Sequence, residues 1–168
     1  LGGKFEVYHH TQILSELISS GKLHLTEPSG KEFYVHDSCY LGRYNHIYDE
    51  PRSIVETATG RQAAEAEQGR YKSASFCCGG GGWQAFYEIE GKRINKLRLE
   101  HFNLDSKQGV ALSCPYCMMM FDEAIRAENK EETFAVKDVA ELLAEQLPKE
   151  KTFGEKEKEG EEKEKEKL

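Results

Sequence analysis

Five cysteines carry the chemical interest of this chain: Cys39, the adjacent pair Cys77-Cys78, and the run Cys114-Pro115-Tyr116-Cys117. Thirty-seven residues separate the first from the pair, thirty-five separate the pair from the Cys-x-x-Cys, and the sequence holds no other cysteine. Each lies beside glycine, proline or the end of an expected strand. Thiolates drawn from three distant points of a chain commonly share a metal ion or an iron–sulfur cluster. Four suffice for a cubane or a closed tetrahedral zinc site, so five thiolates are one more than either requires. Cys77 and Cys78 leave adjacent positions in different directions, which suits two metal atoms of one cluster better than a single ion. A structural zinc site stands as the alternative.

Other uses of the cysteines explain less. An odd number, two of them adjacent and therefore poorly placed to pair, argues against a secreted disulfide framework and for a reducing, cytoplasmic setting. Free cysteines acting as small hydrophobes would sit within apolar stripes, not beside Gly, Ser and Pro. Cys-Pro-Tyr-Cys resembles the active-site tetrapeptide of glutaredoxins, where a helix N-terminus lowers the thiol pKa. That reading leaves Cys39, Cys77 and Cys78 without a role.

The neighbours of the cysteines suggest further roles. Gly79–Gly82 matches neither a dinucleotide-binding nor a Walker pattern, and fits a backbone that approaches a cluster and donates N–H groups to its sulfurs. His36, three residues before Cys39, is a candidate to hydrogen-bond near the site or relay a proton; His46 and His101 are candidates for its vicinity. Arg43 and Arg93 are candidates to neutralise an anionic cluster or substrate, against the default of surface ion pairs. Met118, Met119 and Met120 read as helix packing, and Trp83 and Tyr116 as shields against water.

The elements that must position these residues follow from the apolar period. Residues 7–20 read as a helix with Ile13, Leu14, Leu17 and Ile18 on one face and Gly21 as its stop. A strand over Glu32–His36 runs into the loop bearing Cys39, and Tyr40–His46 reads as a short helical turn. Arg52–Ala58 is an expected helix ended by Gly60. Residues 61–73 are polar and carry no clear pattern. Ala74–Phe76 is an expected short strand before Cys77, and Arg93–Phe102 an amphipathic helix. Val110–Ser113 reads as a strand feeding Cys114, and Met118–Glu128 as the helix that follows. A last strand over 134–136 and a helix over Asp138–Leu147 complete the series. Repeated strand, cysteine-bearing loop and helix imply βαβ units, a parallel sheet, and one site beyond the strand C-terminal ends.

The chain of 168 residues has a formal net charge of −7. Residues 1–148 form one expected domain and carry −6 of that charge. Residues 149–168, with seven Lys and eight Glu, form a low-complexity tail expected to be disordered. An acidic body without a basic patch argues against nucleic acid as a partner. No apolar run is long enough to span a membrane. The start at Leu-Gly-Gly without Met suggests a C-terminal fragment of a longer subunit.

Spacing and flanking text together resemble the cysteine-rich CCG domain of heterodisulfide-reductase-like iron–sulfur oxidoreductases. Both cysteine spacings fall within that family's range, and HDSCYLGRYNHIYDEPR (36–52), SFCCGGGG (75–82), GKRINKLR (91–98) and ALSCPYCMMMFDEA (111–124) resemble its text. Ser38 departs from a common proline and touches no expected ligand. The resemblance implies a Rossmann-like α/β fold in which Cys39, Cys77, Cys78, Cys114 and Cys117 bind a noncubane [4Fe-4S] cluster, or zinc in some copies. It further implies electron transfer, alone or coupled to disulfide reduction, by a subunit incomplete without other redox subunits or an upstream iron–sulfur domain. Other relatives are electron-transfer subunits of 2-hydroxy-acid or glycerol-3-phosphate oxidising complexes, so association with a membrane-bound redox complex is expected too.

Overall fold

The computed structural model describes residues 2–81, 85–87 and 90–148. In chain order its elements are α1 (His10–Ser19), β1 (Phe33–Val35), a π turn (Tyr40–Tyr44), α2 (Asp49–Thr59), a 3-10 turn (Lys72–Ala74), α3 (Ile94–Leu99), β2 (Gly109–Leu112), α4 (Pro115–Ala127), β3 (Ala135–Asp138) and α5 (Val139–Ala144). The three strands are parallel in the order β1-β2-β3, with Tyr34 opposite Val110 and Val110 opposite Val136. This is the expected α/β class.

Alternation along the strands sends side chains to two cores. Phe33, Val35 and Ala111 pack with Ile54, Val55 and Ala58 of α2 and Val139, Leu142 and Leu143 of α5. Tyr34, Val110 and Leu112 pack with Leu99 of α3 and Met120, Phe121, Ala124 and Ile125 of α4. The central strand β2 is buried throughout, and each such aliphatic side chain contributes about 1.5–3 kcal/mol relative to exposure. Gly109 is required by close approach: a β-carbon there would run into the Ala135 carbonyl oxygen and lie 2.8 Å from the Phe33 ring.

Several boundaries differ from those read in the sequence. Helix α1 starts at His10 because His9 caps it: its ring accepts from Thr11 N–H at 3.3 Å while Gln12 Oε1 accepts from His9 N–H at 3.0 Å. Leu14 and Ile18 reach the core, whereas Ile13 is exposed. Helix α2 begins before Pro51, which occupies the first turn, where its missing N–H costs nothing. Helices α3 and α5 are shorter than expected. Helix α4 starts at Pro115, so Cys117 lies on the helix and not ahead of it.

One expected strand is absent. Residues 74–76 do not extend beside the sheet; Lys72–Ala74 forms a 3-10 turn whose Lys72 carbonyl accepts from Ser75 N–H at 3.0 Å. Tertiary hydrogen bonds hold this segment instead. The Asp37 carboxylate accepts from Lys72 N–H at 2.6 Å, Ser75 Oγ donates to the Asp37 carbonyl at 3.2 Å, and Arg43 donates to the Ser75 carbonyl. The neighbouring unpatterned stretch covers the outer edge of β1, where Ala64 N–H donates to Phe33 O and Val35 N–H donates to Ala64 O, both at 2.9 Å. The expected disordered tail, residues 149–168, lies outside the described residues, as do Gly82 and Trp83.

Candidate metal centre

Three segments converge beyond the C-terminal ends of β1 and β2. Cys39 follows the β1 loop Asp37-Ser38 and stands at the head of the π turn. Cys114 follows β2 as the N-cap of α4, with Pro115 next, and Cys117 lies in that helix's first turn. Cys77-Cys78 arrives without a strand, through the hydrogen bonds that tie Lys72 and Ser75 to Asp37. All five cysteines line one cleft of about 650 Å3, together with Tyr40, Gly80, Gly81, Phe86, Pro115 and Tyr116.

The inner wall is the tightest part. Cys78 and Cys117 are buried, with sulfurs 3.2 Å apart, while Cys39, Cys77 and Cys114 are half-buried. One ring nitrogen of His36 and the sulfurs of Cys78 and Cys117 all lie within 4.8 Å of one another. Two glycine N–H groups point at sulfur: Gly79 donates to Cys77 Sγ at 3.3 Å and Gly80 to Cys78 Sγ at 3.4 Å. These are N–H contacts to sulfur of the kind expected of the glycine run. Gly79 has φ +87°, and a β-carbon there would lie 2.9 Å from Cβ of Ile94.

Proximity splits the thiols electrostatically. Hydrogen bonds from Cys117 and Cys77 hold Cys78 far below the ordinary thiol range. Hydrogen bonding with Cys114 and Cys78 pushes Cys117 up, and hydrogen bonding with Cys78 pushes Cys77 up, both aided by burial. Cys114 is lowered to about 6 by its hydrogen bond with Cys117, against burial and with help from the N–H groups of Cys117 and Tyr116 at the helix start. Burial pushes His36 down, favouring a neutral ring, although Cys78 opposes it. The thiols thus share their protons unequally, and metal binding needs the thiolate form.

Four buried side-chain polar atoms lack a hydrogen-bond partner among the described residues: His36 Nε2, Ser38 Oγ, Arg98 Nη2 and Ser113 Oγ. Buried polar groups are nearly always satisfied, so their distribution is informative. Ser38 adjoins Cys39, Ser113 adjoins Cys114, and Arg98 is hydrogen-bonded to His36. Ser38 and Ser113 line a neighbouring cavity of about 420 Å3, while His36 stands against Cys78 and Cys117 with Arg98 behind it. The sulfur donor set of the cleft fits a metal–sulfur guest.

Other sequence candidates fall elsewhere. His46 is exposed and away from the cleft. The ring of His101 lies 3.2 Å from Arg98 O and packs on Phe76. Arg93 pairs with Glu123 at 2.5 Å, and Arg43 donates to the Ser75 carbonyl, two residues before Cys77. Met120 is core, Met118 packs beside it and Met119 is exposed. Tyr116 lines the cleft but is half-exposed. Sequence reasoning missed Arg98, a fully buried cation behind His36, and the buried Asp37–Arg52–Glu65 network. Nothing in the amphipathic pattern of RINKLR distinguishes an inward arginine from a solvated one.

A sequence model of the family described as CCG, cysteine-rich domain, matches residues 33–122, a stretch that holds all five cysteines. The chain belongs to the CCG family. It is 41% identical over 147 residues to the probable iron-sulfur-binding oxidoreductase FadF of Bacillus subtilis, covering 87% of this chain and 21% of that protein. It is 39% identical over 151 residues to the EtfAB:quinone oxidoreductase of Syntrophomonas wolfei, covering 85% and 21%. A third relative is one of the subunits of the dihydromethanophenazine:CoB--CoM heterodisulfide reductase of Methanosarcina barkeri, 30% identical over 144 residues, covering 85% and 34%. This CCG chain therefore spans about a fifth to a third of the length of these relatives. No solved structure matches it. Among the described residues no helix is long and apolar enough to cross a membrane.

Proposed function

We propose that this CCG chain is the cluster-binding part of an iron–sulfur oxidoreductase, with Cys39, Cys77, Cys78, Cys114 and Cys117 holding one noncubane [4Fe-4S] cluster. The observation that carries the reading is the convergence of every cysteine on one cleft, with backbone N–H groups aimed at two of the sulfurs. Such a cluster, when bound, accepts and donates single electrons. Gly79 and Gly80 would stabilise sulfur charge, Cys78 and Cys117 would form the buried anchor, and the cleft would leave the outer side open to a substrate or a partner. Tyr40, Phe86 and Tyr116 at that opening would limit water.

The named activity of the Methanosarcina relative supports a disulfide as the substrate class. Its reduction consumes two electrons and two protons, breaks the S–S bond and releases two thiols. The electrons would come from an upstream iron–sulfur domain or another redox subunit, since the chain covers only part of each relative. A relative named as a probable membrane-anchored ferredoxin, 36% identical over 144 residues, supports association with a membrane-bound complex. Anaerobically purified protein should be brown, and EPR of the oxidised form should change when a thiol or disulfide is added. A cluster signal indifferent to both would leave a pure electron carrier.

One observation favours a second reading. His36, Cys78 and Cys117 form a compact buried nitrogen–sulfur donor set of the kind zinc takes. Zinc would leave the protein colourless and make it an interaction module.

A further inference from the structure

Arg98 is 0% exposed, and its guanidinium has no carboxylate among its hydrogen-bond partners. Nε–H donates to His36 Nδ1 at 3.3 Å, Nη1 donates to the Arg70 carbonyl at 3.0 Å, and the cation lies 4.5 Å from the centroid of the Phe102 ring. Nη2 has no partner among the described residues. Asp37, the nearby carboxylate, is already engaged in two hydrogen bonds from Arg52 and one from Lys72 N–H. A buried cation is costly unless a negative charge compensates it. Burial lowers the Arg98 pKa to about 10; Asp37, Cys78, Cys117 and Cys77 are the charges that resist this fall. Three of those four are the cysteines of the cleft wall.

Because Arg98 donates to Nδ1, a neutral His36 carries its proton on Nε2. That Nε2–H has no partner among the described residues, in a ring that offers a nitrogen within 4.8 Å of the sulfurs of Cys78 and Cys117. Arg98 fixes the tautomer and His36 presents the donor; together they make the inner wall of the cleft electropositive.

We infer that Arg98, acting through His36, is the positioning cation of the metal centre: a buried, permanent positive charge whose counter-charge is the anionic cluster held by Cys78 and Cys117. The role rests on the proposed metal–thiolate reading and goes beyond it. It assigns the charge compensation to Arg98, where the sequence pointed to Arg43 and Arg93. A residue with this role stabilises the loaded protein more than the metal-free one, whereas a merely structural arginine stabilises both equally. It also favours the reduced state, which carries one more negative charge.

The test compares the full chain with its Arg98→Met and Arg98→Lys variants, each metal-free and after anaerobic reconstitution with iron and sulfide. Metal-free Arg98→Met should lose less melting temperature, relative to its parent, than loaded Arg98→Met loses. Loaded Arg98→Met should lose metal to an iron chelator at least about tenfold faster, the scale of one charge-assisted contact, and its midpoint potential should move negative. Arg98→Lys, which keeps the charge without the planar fork, should fall between. Equal losses of melting temperature in the metal-free and loaded forms, combined with an unchanged potential and unchanged metal release, would overturn the inference. The iron content of the parent reports separately on the cluster reading.

Discussion

Two buried arginines stand within one small domain, and their surroundings are opposite. Arg52 is held by Asp37 through Nη1 at 2.7 Å and Nη2 at 3.0 Å, and by Glu65 through Nε and Nη2 at 2.6 Å each. Burial alone would lower its pKa; the hydrogen bonds it donates to Glu65 and Asp37 outweigh burial and raise it above the free value. Arg98 has a histidine, a carbonyl and an aromatic ring instead, and burial wins. The first cation is complete without any guest. It does a scaffold's work, since Asp37 also takes Lys72 N–H and so joins the Cys39 loop to the segment bearing Cys77 and Cys78. The second cation is matched to sulfur. The contrast separates what builds the cleft from what the cleft is built to hold.

The comparison breaks most readily at Arg52. Arg52→Met strands Asp37 in the interior, so unfolding free energy should fall by about 3–5 kcal/mol. That fall should be equal in metal-free and loaded protein when measured by denaturant titration. A loss confined to loaded protein would merge the two sites into one. Next in size is Gly79→Ala, which forces an alanine to φ +87° against Ile94 and displaces an N–H from Cys77 sulfur. A cost of about 1–3 kcal/mol is expected, together with faster metal release, because this position serves both fold and sulfur.

The smallest effect belongs to the exposed pair Lys72–Asp49, with 2.8 Å between Nζ and Oδ1. The hydrogen bond from Lys72 lowers the Asp49 pKa, so its contribution is present above the unfolded carboxylate pKa and disappears as pH falls through the lower folded value. Lys72→Ala should cost about 0.5 kcal/mol or less at neutral pH, and the difference from the parent should vanish in acid melts once Asp49 is protonated in both states. Persistence of the difference there would mean that Lys72 acts through its backbone turn and not through its charge.

The strands that end at Val35 and Leu112 were legible because each is a short apolar run closed by a turn-forming or cysteine-bearing stretch. The site was legible because its chemistry is concentrated in one residue type at distinctive spacing. The third approach to the site was not. Ala74-Ser75-Phe76 has strand-compatible composition, but the segment is held by Lys72 N–H on the Asp37 carboxylate, Ser75 Oγ on the Asp37 carbonyl and the Arg43 guanidinium on the Ser75 carbonyl, contacts 32 to 38 residues away. Arg98 was hidden for a related reason. An arginine on an amphipathic helix is ordinarily solvated, and only the packing of α3 beneath His36 and Phe102 turns this one inward.

One cluster held jointly by the five cysteines is the central claim, and metal stoichiometry tests it most directly. Iron, acid-labile sulfide and zinc should be counted per chain after anaerobic reconstitution, for the parent and for Cys78→Ser. The expected result is about four iron and a matching amount of sulfide in the parent, with iron near background in Cys78→Ser. One zinc per chain with no iron in the parent would contradict it.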